Sequence, residues 1–319
     1  MIPLRVLEEI AGRSGVAPRI EPMLPIGVRA RQPPARTLLP GMLLVLADHR
    51  PVHLTRVRQA LAHLPEADQR RPGVLADWKT GPHLLSCRQT ERTFGLVAGA
   101  LEKDKPDGTP PEILARICGE LPGASIPAQF KNASTALAVD WTGLETFSRP
   151  PPRGTRDCAG PEARRGRRSG GGPGQDSELF SGYYASAATM MRDEPGPPVP
   201  ELGPPDDRML LPPRPGLRPG PGADHRRSCA RRTGAERTFS TAKDPASNNI
   251  TRGWCRLMGL TPLTFWLACL LLIRNQRILI AWDARQHDNA RRAAAGLPPR
   301  TRRRRRKTLT DLAAAGTPP

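Results

Sequence analysis

Cys229-Ala-Arg-Arg232-Thr-Gly-Ala-Glu236-Arg-Thr-Phe-Ser-Thr-Ala-Lys243 is the stretch on which the reading of this chain turns. At about 100° per residue, positions 229, 232, 236 and 243 fall on one stripe of a helix. The stripe sets a carboxylate between two cations, with Phe239 beside it to hold the helix to a core. A carboxylate with an Arg one turn before it and a Lys two turns after it stays ionised at neutral pH. Such a group can hold a divalent metal while the flanking cations hold phosphate oxygens. The spacing alone also fits a solvated helix face with ordinary charged residues.

A second acid stands upstream in a different setting. Residues 135–140 read as a short strand, with Leu137 and Val139 on one face and Ala136, Ala138 and Asp140 on the other. Asp140 is expected to leave the strand end beside small side chains, with room for a metal and a phosphate. A lone Asp at a strand end is also an ordinary turn residue. Residues 179–191, with Tyr183 and Tyr184, read as the next strand of the same sheet.

Taken together these segments resemble the DDE transposases of bacterial insertion sequences. The 229–243 stretch is similar to that family's Y-x2-R-x3-E-x6-K signature, with Cys229 where the tyrosine usually stands. Leu137-Ala-Val-Asp140-Trp141-Thr resembles the strand that carries the first catalytic aspartate. Trp254-Cys-Arg-Leu-Met-Gly-Leu-Thr-Pro262 and Arg274-Asn-Gln-Arg277 look like the helices that follow the glutamate. The resemblance covers roughly residues 25–150, 177–195 and 226–310.

That resemblance implies an α/β fold: an RNase H-like catalytic core preceded by an all-helical N-terminal domain. It implies DNA cleavage and strand transfer at insertion-sequence ends by in-line attack at phosphorus. Two divalent ions, Mg2+ or Mn2+, about 4 Å apart would activate the attacking oxygen and stabilise the leaving one. Asp140 and Glu236 would be the first and third metal-holding acids. Arg232 would orient or contact DNA phosphate, and Lys243 would contact the strand near the cleavage point. At position 229 a thiol is shorter than the tyrosine and lacks its aromatic face.

The second aspartate of the family closes a strand in a motif resembling D-S-G-Y, and it has no counterpart here. The acids between Tyr184 and Glu236 are Asp193, Glu194, Glu201, Asp206, Asp207 and Asp224. All lie in or beside Pro/Gly-rich sequence without a strand pattern. Asp206-Asp207 is a pair in a flexible turn, which is not held in place for catalysis. The compositional break near Leu202 implies an internal deletion or a stretch read in the wrong frame. The implied protein is therefore a truncated transposase with impaired catalysis, because a lost metal-holding carboxylate removes transition-state stabilisation. The alternative is a non-catalytic basic DNA-binding protein.

Composition agrees with a polyanionic partner. The chain has 319 residues, 49 Lys and Arg against 30 Asp and Glu, and a net charge of +19. Such a charge favours DNA, RNA or an acidic membrane surface without choosing among them. With 38 Pro, 30 Gly and only 4% aromatic residues, a large part of the chain cannot bury a core. The six cysteines form no C-x-x-C pair, so a zinc site is not expected. Arg5, Glu8 and Glu9 stand where a signal peptide needs an apolar run. A cytoplasmic location with reduced thiols follows as the expectation.

Residues 257–273 are almost wholly apolar, about 17 residues or ~26 Å as helix, slightly short of a ~30 Å hydrocarbon core. They read as a helix buried on all sides, and the other reading is a membrane span. No membrane partner is expected on the first reading. The partners expected are DNA ends, target DNA, and a second copy or a full-length transposase.

The remaining organisation follows from periodicity. Residues 1–36 are Pro- and Arg-rich and read as a loosely ordered lead-in. Residues 37–125 read as a helical domain with basic outer faces. Its stripes are Leu54, Val57, Leu61, Leu64; then Phe94, Val97, Leu101; then Ile113, Ile117, Leu121 behind a Thr109–Glu112 capping box. The catalytic core is expected over 131–290, with 149–175 and 195–222 disordered because they offer no apolar burial to offset the entropy of folding. Residues 291–319 are expected to form a basic, disordered tail. Arg302, Arg303, Arg304, Arg305, Arg306 and Lys307 are its candidate phosphate contacts.

Overall fold

The computed structural model describes residues 2–25, 34–51, 53–78, 81–102, 112–131, 137–145, 164–168, 178–190, 200–202, 257 and 259–299. For residues 76–78, 81–82, 112 and everything between 137 and 202, the backbone alone is described. The chain divides into two units, Met1–Gln276 and Arg277–Pro319.

The first unit is built around a helix that water barely touches. Helix α3, Ala35–Ala47, has twelve of its thirteen residues buried, which is what an apolar run with no polar face requires. Glu21 closes its start: the Ala35 amide donates to Glu21 Oε2 at 2.7 Å. Its end turns over at His49, whose φ of 54° is left-handed, and the Arg50 amide donates back to the Val45 carbonyl at 3.0 Å.

Around α3 pack α1, Leu4–Arg13, and α2, Val16–Ile20. Leu7, Ile10, Val16 and Ile20 are all at most 2% exposed. The lead-in expected to be loosely ordered is therefore a pair of core helices. Pro3 supplies the extended residue that starts α1, and Leu4, Leu7, Ile10 and Ala11 line its buried side. The composition of the segment hid that spacing. Arg71 holds α1 from outside through Glu8 at 3.0 Å.

Helix α4, Leu54–Ala62, buries Val57 and Leu61 against the same core. Gly41 sets how closely α3 and α4 approach. A Cβ built there would stand 2.7 Å from Leu61 Cδ1 and 2.8 Å from Val57 Cγ1. Alanine at this position would gain about 1 kcal/mol in helix propensity. It would meet an overpacking cost of about 1–3 kcal/mol, and the β-branched Val57 has few rotamers with which to yield. Gly41→Ala is expected to lose about 1 kcal/mol net, read as a lower urea midpoint at unchanged slope. A higher midpoint would mean that α4 moves aside freely.

After α4 come the short helix α5, Glu66–Arg70, and a hairpin of β1, Leu75–Trp78, with β2, Gly81–Leu84. The hairpin is a correction to an all-helical reading of 37–125. Helix α6, Cys87–Glu102, opens on a capping box: the Gln89 amide donates to Ser86 Oγ at 3.2 Å and the Ser86 amide to Gln89 Oε1 at 2.8 Å. It buries Phe94, Val97 and Leu101, the stripe expected from sequence. Helix α7, Glu112–Gly123, buries Leu114, Ile117 and Leu121. Arg19 on α2 grips Glu120 on α7 through both carboxylate oxygens, at 2.5 and 2.6 Å.

The long helix α8, Leu260–Ala294, begins inside this core. Residues Leu263, Phe265, Trp266, Leu267 and all of 268–273 are at most 4% exposed. The helix is long and apolar enough to cross a membrane, yet 78% of its most apolar window is buried within the protein. Polar groups fix where it sits: Asn275 Nδ2 donates to Ser125 Oγ at 3.0 Å, and Gln276 Nε2 to the Ser125 carbonyl at 3.0 Å.

The expected RNase H-like α/β core is overturned. Where side chains are described, 75% of residues are helical, and the only strand residues among them belong to the short β1–β2 hairpin. The backbone alone shows four further strands: β3, Leu137–Glu145; β4, Arg164–Arg168; β5, Glu178–Met190; β6, Pro200–Leu202. Every pairing among them is antiparallel, with β3 on one edge of β5 and β4 and β6 on the other. No described helix falls between these strands in sequence. An RNase H-like core needs a mixed sheet with crossover helices packed on its faces, and no parallel pairing or crossover is present among the described residues.

Candidate nucleic-acid interface

Asp140 is the fourth of the nine residues of β3 and pairs in register with Ala187 of β5. The strand was expected to end there. It continues through Trp141 and Thr142, whose aromatic and β-branched side chains favour extended backbone. Asp140 thus belongs to a strand interior rather than to a strand end. Arg232, Glu236, Lys243, Arg302, Arg303, Arg304, Arg305, Arg306 and Lys307 lie outside the described residues. The expected pairing of Asp140 with Glu236 as metal ligands therefore lies outside the described residues. Among the described residues, no group of three His, Cys, Asp or Glu side chains is placed to hold a metal ion.

Charge is unevenly divided along the sequence. Residues 1–131 hold eighteen Lys and Arg against thirteen Asp and Glu, so they carry +5 of the total +19. Several of these cations are already engaged. Arg19 bonds to Glu120, Arg71 to Glu8 and Asp68, and Arg70 to Glu66. Arg58 donates from Nε to the Leu85 carbonyl at 2.9 Å and so ties α4 to the start of α6. Arg56, Arg88 and Arg92 are exposed, with Glu91 exposed beside the last two. The basic outer face expected of the helical domain is therefore close to balanced.

The remaining +14 falls in residues 132–319. One concentrated piece is β4, whose sequence is Arg-Arg-Gly-Arg-Arg and which pairs with residues 178–182 of β5. It lies in a segment expected to lack structure. The signal was present in the sequence as a cluster of like charges, but no apolar alternation marked it as a strand.

In the second unit, residues 277–294 of α8 carry Arg277, Arg285, Arg291 and Arg292 against Asp283 and Asp288. The Arg285 guanidinium lies 5.6 Å from the centre of the Trp282 ring, within cation–π range. Arg291 pairs with Asp288 at 2.7 Å while 82% exposed, a contact that salt weakens readily. Arg292 donates from Nε to the Pro298 carbonyl at 2.8 Å.

Two thiols of the described core are held in their unreactive, protonated form. Cys87, Cys118 and Cys269 are free thiols. Burial pushes the Cys118 thiol up to about 12 and pushes Cys269 up as well, with the neighbouring Cys118 adding to the second shift. At pH 8 about one Cys118 in ten thousand is then thiolate, the reactive form. Iodoacetamide at pH 8 is expected to leave both unmodified in the folded protein and to label them after unfolding, as read by peptide mass. The linkage has a definite sign. These are acids whose folded values are raised, so their contribution to stability is complete below about pH 9 and declines as pH rises toward 12.

No family model, no curated protein and no solved structure matches this chain.

Proposed function

We propose that this protein binds nucleic acid, DNA in the first instance, through phosphate contacts made by its arginine-rich segments, and that it does so without catalysing cleavage. The supporting observation is the charge distribution. Residues 1–131 are nearly balanced in charge, and the sequence after them carries +14. Arginine clusters of this kind neutralise phosphates and release condensed counterions, so binding is strong at low salt and insensitive to sequence. The test is titration of a labelled DNA duplex at several salt concentrations. A plot of log affinity against log salt should be linear and steeply negative, and should coincide for unrelated sequences.

A second reading rests on the Arg232, Glu236 and Lys243 spacing and its resemblance to the DDE transposase signature. On that reading the chain acts on insertion-sequence ends, with Mg2+ or Mn2+ held by Asp140 and Glu236 and the second acid supplied by a full-length transposase partner. It predicts divalent-dependent nicking of end DNA that disappears in Glu236→Ala while duplex affinity is retained. Nicking that persists in Glu236→Ala belongs to a contaminant and removes this reading.

A further inference from the structure

We draw no further inference here: the strongest candidate, the stripe of Trp282, Arg285 and Arg292 along the outer half of α8, has its Arg285 already over the Trp282 ring and its Arg292 already bonded to the Pro298 carbonyl, and nothing in the structure shows what covers it.

Discussion

Trp266→Ala is expected to cost about 3–5 kcal/mol, a large share of the 5–15 kcal/mol that typically holds a domain together. Trp266 is 1% exposed and is the largest side chain the core buries completely. Its neighbours along the helix, Phe265, Leu267 and the run from Ala268 to Ile273, are equally enclosed, so little can collapse into the space it leaves. A Trp266→Phe variant isolates the reason. The indole Nε1 is buried without a hydrogen-bond partner, so replacing the ring with phenyl discards a donor that burial already penalises. That variant should lose less than half as much. Urea unfolding followed by circular dichroism reads both. If Trp266→Ala lowers the unfolding free energy by less than about 1 kcal/mol, the apolar half of α8 is not core. A bilayer-embedded segment would then be the better account of its composition.

The second large effect concerns binding. Deleting residues 300–319 removes seven Lys and Arg and one Asp, and leaves α8 and its last described turn untouched. If each of those cations neutralises one phosphate, the slope of log affinity against log salt should become shallower by about 6. Affinity near 50 mM salt should fall most, and the difference between full-length and shortened protein should shrink as salt rises. Urea stability of the shortened chain should equal that of the parent, because the helical core lies elsewhere. A slope that stays put after the deletion would move the interface to other arginines, β4 first. A binding curve with no salt dependence at all would remove the nucleic-acid proposal itself.

Much of the helical part was legible because its elements announce themselves by spacing. Val57 and Leu61, Phe94, Val97 and Leu101, and Ile117 and Leu121 recur at three and four residues, and each of them is now found buried. The apolar run after residue 257 also read correctly as a helix with a buried stretch, since no polar face interrupts it. Helix α1 failed to show because prolines and arginines dominate its surroundings, although Leu4, Leu7 and Ile10 keep the right period. The hairpin of β1 and β2 failed for a different reason. Its strands are four residues long and include Pro82, and period two cannot be recognised over so few positions. Asp140 shows the limit of local patterning. Small residues before it suggested a strand end, whereas pairing with β5 carries the strand five residues further. The candidate acid Glu236, read from a helical stripe at 229–243, has nothing comparable behind it, because three charges at helical spacing specify a face and not the partners that face will meet.

A helix coated with apolar side chains on every side poses a problem of orientation that hydrophobic burial cannot solve. Between Leu263 and Ile273 the side chains are apolar all round apart from Thr264, and hydrophobic transfer, which is non-directional, does not by itself choose one rotation of α8 about its axis. What distinguishes one setting is the pair of amides that follow. Asn275 and Gln276 must meet Ser125 and the carbonyls around it, and only a single rotation and height allow both to do so at 3.0 Å. Substituting leucine at 275 would keep the greasy cylinder inside and remove the notch that indexes it. Such a variant could remain compact and helical while its interior ceased to have one arrangement, a loss of definition rather than of cohesion.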